Sequence, residues 1–296
     1  MNRLMAVELR RFRSRRSVVV IAGAAILALI LGASLTFALT NRNIAAATDK
    51  ARARATAEYE DCLRNTKGAD GANFGESGKC EQPQLGTITA DPRFKLVELP
   101  DVLSHVSGFL ILVGLVLGAS FIGAEWHHRT MALTLTWEPR RVRVALAKIA
   151  AAAACVMVAA LALQILLSLA LLPAAIFRGT TQGVSSSWVA HTISVGIRSA
   201  AAAGIATSLG AALALLARNT AFAIGIWFVW FAVLEGIVRQ AKPGWSRWLI
   251  GDNTAGFVAG GADAPRTGLA SGVLLAFYAI AIAWLAVTSF AERDVA

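Results

Sequence analysis

Positions 17–40 carry no charge and are mostly apolar. That length meets the roughly 20 residues an α-helix needs to cross the hydrocarbon core of a bilayer. Inside lipid every backbone N–H and C=O must be satisfied within the segment, which makes the run a helix. Comparable runs recur at 103–124, 149–177, 188–217, 220–238 and 269–290. Charged residues make up 16% of the chain, against about a quarter in soluble domains. The expected fold is an all-α membrane protein with six transmembrane helices, a membrane domain over 17–296 preceded by a short segment at 1–16.

In that first segment Met1, Met5, Leu9 and Phe12 fall on one helical stripe, with Arg3, Arg10 and Arg13 away from it. The pattern predicts an amphipathic helix lying in the membrane interface. A cleaved signal peptide is the competing reading. The run at 17–40 is too long for its apolar core and no small-residue cleavage site closes it, so a retained anchor is expected. Lys and Arg set the orientation. Thirteen fall in the segments placed inside and five in the short segments placed outside. Both termini are therefore expected in the cytoplasm, with 41–100 as one large extracytoplasmic loop. Its first part, 44–64, is Ala-rich and charged and should remain helical; 68–78 is a Gly-rich tip. The net charge of +10 comes from Arg at the ends of apolar runs. It therefore reads as topology rather than nucleic-acid binding. Arg outnumbers Lys 22 to 6, a bias of GC-rich bacterial genomes.

Little in the chain points to catalysis. Gly78-Lys79 lacks the rest of a phosphate-binding loop, since Asn73 stands at the required Gly and Cys80 at the required Ser or Thr. Any ATP-driven work would be done by another chain. Glu125, His127 and His128 are too close in sequence to share a helix face as metal ligands do. No catalytic residue, metal or cofactor of this chain is expected. Cys62 and Cys80 share the loop and are expected to pair if it is exported; Cys155 lies in an apolar run. Within the spans, Gly114 and Gly118 form a G-x-x-x-G pair that permits close helix approach. The fifth span is dense in aromatics. Gly114, Leu117, Gly118, Trp227, Phe228 and Phe231 are expected to line a substrate path at a dimer axis. Arg198 is read as snorkelling outward, and Glu235 as a partner for Arg239 four residues on.

A charged hinge at 125–148 separates the second and third spans. Trp137 offers an apolar anchor, Pro139 a helix stop, and Arg140, Arg141 and Arg143 offer charge to an acidic partner. Here the sequence resembles the membrane subunit of ABC exporters of the type-2 superfamily. Those permeases tend to read Glu, Gly-Thr, Leu, Pro, Arg and Lys across this loop. The matching positions are Glu125, Thr130, Leu135, Pro139, Arg140 and Lys148, with Arg129 where the family usually has Gly. The first segment is similar to the family's connecting helix, and 290–294 to its usual ending.

The resemblance implies a permease dimer, a homodimer or one with a similar chain, with two cytoplasmic ATPase subunits that bind the ATP and Mg. It makes the hinge a coupling helix. The residues expected to meet the ATPase are Glu125, Arg129, Thr130, Trp137, Pro139, Arg140, Arg143 and Lys148. The implied activity is export of an apolar or amphipathic substrate across the cell membrane. Two other readings stay open. One is a non-transporting sensor or assembly subunit with 41–100 as a ligand-binding ectodomain. The other is an intramembrane enzyme.

Overall fold

The computed structural model describes residues 2–68, 80, 82–128, 130–261 and 266–292. Six of its helices are long and apolar enough to span a bilayer, and the chain is a multi-pass, all-α membrane protein. The chain divides into two compact units.

The larger unit holds residues 1–30, 97–169 and 184–296. It begins with α1 (Asn2–Arg13) and the first turns of α2 (Arg16–Leu39). Then come α4 (Leu99–His127), α5 (Thr130–Trp137) and most of α6 (Arg141–Pro173). The intervening helix, α3 (Ile44–Gly68), belongs to the smaller unit. After it follow α7 (Ser186–Ala217), α8 (Thr220–Val229), a π-helical turn at Trp230–Leu234, α9 (Glu235–Ala241), α10 (Ile250–Ala259) and α11 (Gly268–Glu292).

The spans α4 and α7 form the centre, and α2 is the least buried. Small residues let the two central helices touch. A Cβ added to Gly118 would collide with the Thr207 carbonyl oxygen, and one added to Gly210 with that of Leu115. Lipid tails are as apolar as leucine, so helices in a membrane gain by backbone approach and polar ties rather than by hiding from solvent. One such tie crosses three helices. Gln164 Nε2 donates to Ser199 Oγ at 2.7 Å and to the Leu103 carbonyl at 3.3 Å. The tight turn between α7 and α8 also follows from sequence. Arg218 adopts φ 54°, and Asn219 caps α8 by accepting from Phe222 N–H at 3.1 Å.

The charged ends of this unit converge. Arg218 lies 4.8 Å over the Trp126 ring, which also meets Phe290 edge-on at 5.9 Å. Arg141 Nη1 donates to the Ala291 carbonyl at 3.4 Å. The hinge, the α7–α8 turn and the end of α11 thus share one face of the unit.

Two boundaries differ from expectation. The α6 helix starts at Arg141 rather than 149, and α4 runs on to His127, which shortens the irregular hinge and places Glu125 and Lys148 inside helices. The Gly- and Trp-rich segment at 239–267, whose sequence is compatible with an outer segment that dips back toward the membrane, packs into the unit: Ile250, Asn253 and Val258 of α10 are buried.

The smaller unit comprises residues 31–96 and 170–183. Here the α2 end, α3 and the end of the third span meet. Arg178 stacks 4.4 Å over Phe37 and donates to its carbonyl at 3.1 Å. Lys95 and Thr180 form a short parallel bridge, in which Leu96 N–H donates to the Thr180 carbonyl at 2.9 Å and Thr180 N–H to the Phe94 carbonyl at 3.0 Å. Thr48 Oγ1 accepts from Ala90 N–H at 3.2 Å, fixing the return strand of chain to α3. Arg93 holds the Asp91 carboxyl down to about 2 through its hydrogen bonds. Cys62 and Cys80 are joined, and Cys155 is free. The Gly-rich tip falls largely outside the described residues.

Closing a loop over 18 residues of sequence stabilises a fold by about 3 kcal/mol in the chain-entropy account. Thiol labelling of the denatured, unreduced protein should modify Cys155 alone. Modification of all three cysteines would remove the disulfide from the native protein.

Candidate functional site

The α1 helix is amphipathic, and its inward face holds an acid beside Met5, Leu9 and Phe12 of the apolar stripe. Glu8 and Phe12 are buried, and Leu4, Met5, Leu9 and Arg15 are half-buried. Phe12 meets Phe121 of α4 edge-on at 5.1 Å. This contact sets Glu8 beside Lys148, whose side chain is 0% exposed.

Lys148 Nζ is the hub. It donates to Glu8 Oε1 at 3.0 Å and to Glu125 Oε1 at 3.0 Å, and lies 2.8 Å from Glu125 Oε2. Arg15 Nη2 reaches Glu125 Oε1 at 3.3 Å, and its Nη1 donates to the Ser120 carbonyl. Its guanidinium lies 4.5 Å over Phe121. Burial lowers the Arg15 pKa, opposed by Glu125 and Glu8; an Arg remains charged all the same. Arg11 pairs with Glu8 at the exposed edge, 3.4 Å away. Two carboxylates thus balance two buried or half-buried cations. The cluster brackets the hinge, with Glu125 in the last turn of α4 and Lys148 two turns into α6. It ties α1 to both. Its charged groups pair with each other, while Glu8 Oε2 and Glu125 Oε2 are buried without a hydrogen bond among the described residues.

The hinge residues divide accordingly. Glu125 and Lys148, expected on a partner-facing surface, are internal. Thr130, Pro139, Arg140 and Arg143 are exposed, and Trp137 stands 91% exposed at the end of α5. Arg129 lies outside the described residues. His127 and His128 stack edge-on at 5.1 Å as chain neighbours. Among the described residues no group of His, Cys, Asp and Glu converges as metal ligands would.

Toward the opposite end, a cavity of about 510 Å³ opens between α4, α7 and α10. Ile111, Leu115, Leu209 and Phe231 make apolar walls, with Ser104, His105, Ser107 and Thr254 as the polar points. Its size falls within the roughly 300–1,000 Å³ of small-molecule sites. Side chains of two spans meet the ends of α10, and one of them bonds to it. The Glu235 carboxylate accepts from Gly251 N–H at 2.9 Å and from Trp230 Nε1–H at 2.9 Å. At the other end, Gly260 turns the chain with φ 89°. A Cβ there would come within 2.5 Å of Arg198 Nη1. A carboxylate at the N-terminus and a guanidinium at the C-terminus both match the helix dipole.

No protein-family model, curated protein or solved structure matches this chain. The geometry alone carries the functional argument.

The residues expected along a common path are not brought together. Gly114 and Gly118 face α7 and line neither space; the closest atoms to a Gly114 Cβ are Ala203 O and Thr207 Oγ1 at 2.8 Å. Leu117 is buried on another side of α4. Phe231 lines the cavity, stacked on buried Trp227 at 5.6 Å, while Phe228 is exposed. Arg239 pairs chiefly with Asp252 at 2.6 Å and lies 3.9 Å from Glu235. Hydrophobic periodicity hid Glu8, but composition marks it: Glu8 is the first acidic residue, and the next is Asp49.

Replacing Lys148 with Met should destabilise the protein by about 3–5 kcal/mol, because two carboxylates lose their shared buried cation. Adding Glu8→Gln and Glu125→Gln should recover much of that loss, seen as thermal unfolding in detergent. A K148M protein as stable as wild type would mean that Arg15 alone satisfies both acids.

Proposed function

We propose that this chain is the membrane-spanning permease subunit of an ATP-driven exporter of the ABC type-2 kind. A separate cytoplasmic ATPase supplies the ATP site and Mg. The observation that carries the reading is the hinge. A short helix, α5, ends in an almost fully exposed Trp137, followed by exposed Pro139, Arg140 and Arg143. An exposed Trp beside Arg suits a protein interface, where both are common anchors. The ion cluster supports the same reading, since a push on α5 would reach α4, α6 and α1 together.

The basic residues gathered at that end favour a cytoplasmic location for the hinge and both termini, in the cell membrane. On this reading 41–100 lies outside, where Cys62 and Cys80 meet oxidising conditions, and α1 lies along the inner interface. The cavity, apolar with four polar points, fits an apolar or amphipathic cargo. A second copy of the chain, or a similar one, would complete the pathway. Exposed apolar faces such as that of Phe228 are available for such pairing.

The test is a double charge reversal, Arg140→Glu with Arg143→Glu, at matched expression. Co-purification of a cytoplasmic ATPase with this chain should fall by the equivalent of several kcal/mol if the interface buries both arginines. Membrane insertion should be unaffected. Unchanged co-purification together with unchanged ATP-dependent transport would leave these arginines as topology anchors only.

A further inference from the structure

Between α1, α2, α4 and α6 the larger unit leaves a groove of about 590 Å³. Phe12, Ile21, Val113 and Leu163 are among its apolar walls, and among the described residues that line it only Arg13 carries a charge. Arg11 and Arg15 are engaged with Glu8 and Glu125. Arg13 is exposed and forms no ion pair or hydrogen bond with the described residues.

The groove is polarised along the membrane normal. Arg13 sits just before α2 begins at Arg16, at the level where Arg side chains meet lipid headgroups. From there the α2 wall descends through Val18, Ile21 and Ala25, about 14 Å at 1.5 Å per residue. Because α2 is the least buried span, the groove is accessible from the bilayer. One cation at the shallow end and a purely apolar wall below it match an amphiphile with an anionic head. A second copy of this chain is a poorer occupant, because it would bring the same arginines to this level, with Glu138 and Glu292 the described acids there outside the ion cluster.

We infer that the groove holds one anionic phospholipid of the leaflet at the basic end. Its phosphate rests on Arg13, and an acyl chain runs between α2 and α6. The site braces α1 against the bundle from the side opposite the ion cluster. The inference does not depend on the exporter reading.

Cys155, the free cysteine, lies in the groove wall and reports on occupancy. The full chain, purified in detergent, is mixed with phosphatidylglycerol or with phosphatidylcholine of identical acyl chains. The rate of Cys155 labelling by N-ethylmaleimide is then followed. Phosphatidylglycerol should slow labelling several-fold relative to phosphatidylcholine, as expected when a bound ligand closes access. Arg13→Gln should abolish that difference, and Arg10→Gln, outside the groove lining, should leave it. Equal rates in the two lipids would overturn the proposal. So would a preference that survives in R13Q, or one that R10Q removes as fully, which would describe a diffuse basic surface. If Cys155 fails to react in either lipid, native mass spectrometry decides. Equal retention of phosphatidylglycerol by wild-type and R13Q protein would overturn the site.

Discussion

The structure rests on the close approach of α4 and α7. In a bilayer, burial of apolar side chains gives helices little reason to associate, because lipid offers an equivalent surroundings. What lipid does not offer is a fit to backbone. Gly118 against Thr207 and Gly210 against Leu115 give each helix a groove that the other fills. Dispersion contacts, weak singly, add over such a surface. The Gln164 amide then fixes α6 to this pair through Ser199 and Leu103. Every other helix of the larger unit is placed by reference to α4 and α7.

The ion cluster builds on that frame. Lys148 sits where two turns of α6 pass the last turn of α4, and α1 closes over it with Glu8. Such groups are costly to bury, and replacing them by apolar residues is often neutral or better. Their value here is geometric. Each of three helices contributes a charge, and withdrawing α6 would take the shared buried cation from both carboxylates. The phenyl ring of Phe121 under Arg15, with Lys148 5.7 Å away, adds a second restraint of the same kind.

How much of this was legible depended on which physical signal was in play. The spans were readable because length and charge are properties of contiguous sequence. The fourth, expected at 188–217, forms at Ser186–Ala217. Gly114 and Gly118 signalled close packing, but spacing cannot name the partner helix, and the partner is α7 of the same chain rather than a second copy. Glu125 and Lys148 are 23 residues apart, and a linear reading of a charged stretch takes both as solvated. Glu8 was missed because the apolar stripe of α1 was drawn through its neighbours. The hydrophobic period locates a face to within about one residue, and here the difference decides whether a carboxylate is inside. The folding back of α10 depended on Glu235 and Arg198, which meet it from opposite ends and from different spans.

That arrangement has a geometric consequence. The ten residues of α10 make a rod about 15 Å long, with one end tied to the fifth span at Glu235 and the other abutting the Arg198 side chain of the fourth. A hydrogen-bonded rod resists shortening. It therefore acts as a strut that keeps two neighbouring spans from closing, on the side of the larger unit away from the hinge. If those spans were to draw together, the tie at Glu235 would have to release first. The cavity is thereby kept open by the length of a helix as well as by the side chains that line it.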